Sequence, residues 1–160
     1  LMYYTYYQSP FGEIALTATN EGLTSLQFVQ SALPVVVDSK AKESKTPFTQ
    51  VCEQLDQYFA KERKHFDLPL AQVGTPFQQT VWQTLCTIKQ GETKSYAWLA
   101  KAINNEKAIR AVGSANGANR IALIVPCHRV IGSNGKLTGY AGGLGLKAKL
   151  LMHEGAQFKV

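Results

Sequence analysis

An α+β fold is predicted, with a small N-terminal antiparallel β-sheet domain carrying one helix (residues 1–73) and a mostly helical C-terminal domain containing a helix-turn-helix (residues 74–160). Three observations lead there. Residues 2–28 hold short alternating segments separated by turn signals; apolar spacing switches to the helical period after Thr75; and two short helical segments are joined by a brief polar turn.

In the first domain, residues 2–7 and 13–19 alternate as strands about the turn Ser9-Pro10-Phe11-Gly12. Asn20-Glu21-Gly22 leads into a third strand over residues 23–28, completing a β-meander. Residues 30–46 are polar and irregular apart from Val35 to Val37, which predicts a mobile loop. Thr46-Pro47 opens a helix to about residue 60, with Val51, Leu55, Tyr58 and Phe59 on one side. A further strand through Phe66 and Leu68 is expected to close this unit, which holds no catalytic cluster.

The second domain begins with Thr75 at N-cap, Pro76 at N1 and Gln78 at N3, a capping-box arrangement. Phe77, Val81, Trp82, Leu85 and Ile88 follow at helical spacing until Gly91. Ser95 caps a second helix over residues 96–103, Asn104-Asn105 turns the chain, and a third helix runs over residues 106–116. That third helix carries small side chains, Ala111 to Ala115, behind Arg110. Gly113 weakens a helix, so close approach to another surface is expected, either a neighbouring helix or a nucleic-acid groove. Long polar side chains for major-groove readout are scarce, which leaves sequence-independent minor-groove contact as the nucleic-acid option. Glycines 139, 142 and 143 form a loop before a last helix over residues 144–154.

Composition excludes several classes. The longest apolar stretch, residues 121–126, cannot cross a bilayer. Cys52, Cys86 and Cys127 form no CxxC pair, and His65, His128 and His153 do not stand at zinc-ligand spacing, so no metal or cofactor is expected. A reduced, cytoplasmic, non-secreted protein is the expectation. Residues 1–75 carry six Lys/Arg and eight Asp/Glu, whereas residues 76–160 carry eleven Lys/Arg and three acids. Such asymmetry fits a polyanion on the second domain, or simply a solvated lysine-rich surface.

The chemistry concentrates in Ile-Val-Pro-Cys-His-Arg-Val at residues 124–130. A thiol is nucleophilic as thiolate, and His128 beside Cys127 supplies a base. Glu154 would be misplaced as a surface residue at a helix C-terminus; buried against the imidazole it would be the third member of a Cys-His-acid relay.

With these motifs in place, the chain resembles the O6-alkylguanine-DNA alkyltransferases, also called methylated-DNA–protein-cysteine methyltransferases. The resemblance rests on PCHRV (126–130), GTPFQQTVW (74–82), GETKSYAWLA (91–100), RAVGSANGAN (110–119) and YAGGL…K…HEG (140–155). It implies a ribonuclease-H-like first domain and a direct-reversal repair reaction. On that resemblance Cys127 would take the alkyl group from O6 of guanine irreversibly, His128 and Glu154 would activate it, Tyr96 would donate to the purine, and Asn119 would brace the active-site loop. Arg110 would fill the gap left by a flipped base, Ala111 and Gly113 would allow groove contact, and Ser95, Arg120 and Arg129 would join the DNA-binding surface. Ala122, Val130, Tyr140, Ala141 and Lys147 would form the base pocket. The partner implied is double- or single-stranded DNA carrying O6-alkylguanine, with O4-alkylthymine as a further substrate, bound by a monomer away from membranes.

Alanine stands at 122 and 141 where some relatives have proline and serine, which suggests a roomier pocket. Three other readings keep a place at this stage. A non-catalytic lesion-recognition protein would lack the Cys127 thiol. A Cys-His-Glu hydrolase would need an oxyanion hole. A transcription regulator would need base-reading side chains on the third helix.

Overall fold

A computed structural model describes residues 1–160. Strands β1 (Tyr3–Ser9), β2 (Gly12–Thr19) and β3 (Gly22–Phe28) form the expected antiparallel meander. The two hairpins turn at Gly12 (φ +124°) and Gly22 (φ +148°), backbone angles that favour glycine. Gly22 has a second constraint, since a Cβ there would sit 2.6 Å from the Pro69 carbonyl oxygen. A short strand β4 (Lys42–Glu43) pairs parallel with β1, giving the order β3-β2-β1-β4. Residues 30–46 are therefore not a free loop, and their far end is stitched to the sheet edge.

Helix α1 (Thr49–Phe59) buries Val51, Leu55 and Tyr58. The strand expected through Phe66 and Leu68 does not form. Instead Leu23 N donates to Pro69 O at 3.0 Å and Ala71 N to Leu23 O at 2.8 Å, so only a bridge at Leu70 meets the β3 edge. The same edge accepts a segment of the second domain. Leu26 N donates to Arg120 O at 2.8 Å and Ala122 N to Leu26 O at 2.9 Å. Backbone donors left open on a sheet edge seek partners, and here the chain approaching Cys127 supplies them.

Helix α2 (Pro76–Leu85) starts with the complete Thr75–Gln78 capping box and ends one turn earlier than its apolar spacing suggests. Strand β5 (Lys94–Ser95) precedes α3 (Tyr96–Ala102), and α4 (Ile109–Gly117) packs against both α2 and α3. Residues 106–108, expected to be helical, remain in the inter-helix turn, with Asn104 at φ +58°. Trp82 Nε1 donates to Ala115 O at 2.9 Å and pins α2 to α4. Strand β6 (Val130–Ile131) pairs parallel with β5, and α5 (Leu144–His153) closes the fold. One continuous apolar core of 25 residues, from Ile14 to Leu150, joins the sheet to the helices.

Candidate active site

The tail of α4 builds the platform for the Pro-Cys-His-Arg segment. Asn119 Nδ2 donates to Val125 O at 2.8 Å and Ile121 O at 3.2 Å, while its Oδ1 accepts from Ile121 N at 3.1 Å and Gln72 Nε2 at 3.0 Å. Asn116 Nδ2 reaches the Cys127 carbonyl at 3.4 Å. The turn between them forces Leu123 to φ +70°, a costly conformation for a branched residue that these side-chain bonds hold in place. Pro126 then leads into a single 3-10 turn, Cys127–Arg129.

Cys127 is 6% exposed and lines a narrow cavity with about 30 Å³ of free space. Asn116, Gly117, Asn119 and Ala122 form one side, and Gly139 to Gly142 another. The third side comes from the first domain: Gln27, Phe28, Ser31 and Leu33. Ala32 N donates to Ala141 O at 2.7 Å, so the two loops close on each other. No sequence signal distinguished those four first-domain residues. Burial raises the Cys127 thiol, while the Asn119 amide and the Lys147 charge oppose that rise. The sulfur needs a base.

His128 is fully buried, with Nε2 2.8 Å from Glu154 Oε2 and Nδ1 making no hydrogen bond to the protein. Burial holds the imidazole below its usual range and hence neutral, with Glu154 pulling the other way. The Glu154 side chain is wholly buried at the end of α5, where Gly155 (φ +75°) stops the helix. Burial alone would raise this carboxyl, but His128 and Arg129 hold it well below the usual carboxylate range. The contact expected between His128 and Glu154 is thus present, and the glutamate side chain does not lie on the surface.

Other assignments change. Arg129 is 6% exposed; it forks onto Glu154 at 2.8 and 3.1 Å and donates to Ile88 O at 2.7 Å. A guanidinium committed in this way is not available to a phosphate, so Arg129 holds Glu154 and does not belong to a DNA surface. Lys147 is also fully buried, donating to Val130 O at 2.7 Å, Thr138 O at 2.9 Å and Gly139 O at 3.5 Å. It ties the glycine-rich loop to β6 from behind. Val130 does not line the cavity, and its carbonyl already serves Lys147. Ala122, Tyr140 and Ala141 do line it.

Tyr96 is half-buried at the start of α3 and accepts from Thr138 Oγ1 at 3.0 Å. Ser95 uses its hydroxyl to cap α3 at Trp98 N, 3.0 Å away. Arg120 donates through Nη1 to Pro34 O and stays half-buried. Arg110, Ala111 and Ser114 are exposed on α4, and the row Arg110–Ser114–Gly117 runs along one helix face to the cavity wall.

Known proteins carry the same pattern from end to end. Residues 2–72 match the 6-O-methylguanine DNA methyltransferase ribonuclease-like domain, and residues 76–156 match the DNA-binding domain of the same family. The chain belongs to the 6-O-methylguanine DNA methyltransferase family. It is 50% identical to the methylated-DNA–protein-cysteine methyltransferase of Methanosarcina acetivorans, over 97% of this chain and 99% of that one. Identity to the constitutive Bacillus subtilis enzyme is 45%, over 98% of each. The fold is similar to that of the Mycobacterium tuberculosis O6-methylguanine methyltransferase (TM-score 0.86, 43% identity, 97% of this chain and 93% of that one). A DNA complex of the Mycobacterium tuberculosis protein matches at TM-score 0.88 and 44% identity, covering 96% and 92%. The chain is thus a DNA-binding methyltransferase of DNA repair. No helix is long and apolar enough to cross a membrane.

Proposed function

We propose that Cys127 accepts the alkyl group of O6-alkylguanine directly, once per molecule, and restores the base in DNA. The observation that carries this is the buried Glu154–His128 pair, which adjoins the cavity-lining Cys127 in the chain, with His128 Nδ1 left unbonded. Glu154 fixes the ring tautomer with the proton on Nε2, so Nδ1 is the basic nitrogen. It takes the thiol proton, through a water. The sulfur then attacks the alkyl carbon in line; the S–C bond forms as the C–O6 bond breaks. The electron pair passes to the purine and the Tyr96 hydroxyl protonates the ring; His128 then gives up its proton to water and the Tyr96 phenolate regains one from water, so the net movement is one proton from sulfur to guanine.

The target atom lies within a stacked duplex, so the base turns out of the helix at a cost of a few kcal/mol. Arg110 fills the vacated stack, and the small residues after it let α4 sit close in the minor groove. The 139–143 loop and the first-domain segment at Ser31 and Leu33 both wall the cavity, so the turned-out base enters between the two domains. The first domain, residues 1–73, serves as a scaffold, and the second, residues 74–160, as the DNA-binding and acceptor unit. The protein works as a cytoplasmic monomer on double- and single-stranded DNA, with O4-alkylthymine as a further substrate.

Intact-protein mass spectrometry after incubation with an O6-methylguanine duplex tests the reading. One methyl per molecule is expected, located on Cys127, and none on Cys127→Ser. Repeated turnover without a modified protein would sink it.

A further inference from the structure

The relay has a member that comes from the first domain. Tyr58, on α1, donates through its hydroxyl to Glu154 Oε2 at 2.6 Å, the oxygen that also faces His128 Nε2 at 2.8 Å. A buried phenol can satisfy itself on nearby backbone. This one reaches a carboxylate 96 positions away that Arg129 already holds. Tyr58 is 1% exposed, and its ring is fixed by Phe59, Phe66 and His153, with centroids at 5.0, 5.5 and 5.1 Å. His153 Nε2 also meets the Tyr58 carbonyl at 3.0 Å. Burial first, and then the Glu154 charge, push the phenol far up, so it remains a protonated donor.

We propose that Tyr58 is a positioning residue for the transfer reaction, its hydroxyl sharing the Glu154 oxygen and so setting how strongly that carboxylate pulls on the His128 imidazole. The inference rests on the relay described under the proposed function. Tyr58, His128 and Arg129 Nη2 all reach that oxygen, and donors sharing one carboxylate oxygen divide its charge, so each weakens the pull on the others. With Tyr58 engaged, Glu154 orients the ring without drawing it into the imidazolium form. The charged and titratable groups facing the pair are Cys127 and Arg129 from the 3-10 turn, Lys147 and His153 from α5, Tyr140 from the glycine-rich loop, and Tyr58 from α1. The N-terminal domain thereby tunes chemistry carried out in the C-terminal one.

The experiment is the rate of methyl transfer from an O6-methylguanine duplex between pH 5 and 9, for the wild type, Tyr58→Phe and Phe66→Leu. Losing the hydroxyl strengthens the Glu154–His128 attraction, so the midpoint of the acid limb should rise by about half a pH unit, a roughly threefold change in proton affinity. Phe66→Leu loosens the ring packing but keeps the hydroxyl; it should lower the melting temperature and leave the midpoint in place. If Tyr58→Phe does not fold, 3-fluorotyrosine placed at position 58 gives a stronger donor, and the midpoint should fall. An unmoved midpoint for a folded position-58 variant, with wild-type transfer intact, overturns the role of Tyr58. Absence of transfer by the wild type would instead overturn the acceptor reading on which it rests.

Discussion

Asn119 and Val125 are joined side chain to backbone across the turn that precedes the acceptor cysteine, with Nδ2 2.8 Å from the carbonyl oxygen. The asparagine also pairs both backbone groups of Ile121, so one amide holds three backbone groups of the strained segment. Asn119→Ala leaves buried donors and acceptors open, at a cost of about 1–3 kcal/mol. Denaturant unfolding should show that loss. Methyl transfer should slow by more than tenfold, because the Cys127 sulfur loses its fixed position.

Glu154→Gln tests the ionic half of the relay. Arg129 would be left buried without its counter-charge, and such truncations typically cost about 3–5 kcal/mol. A melting temperature within a degree or two of wild type would contradict the buried pairing.

Acid should destabilise the protein in two stages. The folded His128 sits below its unfolded value, near 6.5, chiefly through burial, so its contribution is present above that pH and declines as pH falls through it. Glu154 is likewise held low when folded, so its contribution is present above about pH 4.3 and is lost as pH falls further. Unfolding free energy measured from pH 8 to 3 should fall in both windows, and Glu154→Gln should remove the lower one.

Gly113 separates stability from function. A Cβ there would rest 3.9 Å from the Tyr96 ring, an ordinary contact. Gly113→Ala should therefore stabilise α4 by roughly 0.5–1 kcal/mol. If α4 enters the groove as proposed, the same methyl would stand between helix and DNA, so transfer from duplex should slow while reaction with free O6-methylguanine is unchanged.

Arg110→Ala gives the complementary test of base flipping. Transfer from duplex should drop far more than transfer from the free modified base. Equal slowing of both would remove Arg110 from that role.

Adduct size should depend on both domains. Ala122 and Ala141 of the second domain and Leu33 of the first all line the cavity that holds Cys127. Leu33→Ala should raise the rate with O6-benzylguanine relative to O6-methylguanine, read as a ratio of single-turnover constants. An unchanged ratio would place the size limit elsewhere.

Local signals in the chain carried the meander, the capped α2, the two-helix unit and the pairing of His128 with Glu154. Those signals are alternation, a capping box, a polar turn and a dense motif. What they did not carry were the other pairings between distant segments. Phe66 and Leu68 look like a strand by composition, yet the β3 edge takes Leu70 and Ile121 instead, because only three-dimensional proximity decides which chain satisfies an open edge. Arg129 and Lys147 look like surface cations in a basic half. Burial turned both inward, since the tertiary structure brings a carboxylate to one and three carbonyls to the other. Tyr58 on α1 and Leu33 in the loop after β3 reached the site for the same reason: the first domain packs against the Cys127 turn, and no local pattern records which of its residues will lie there.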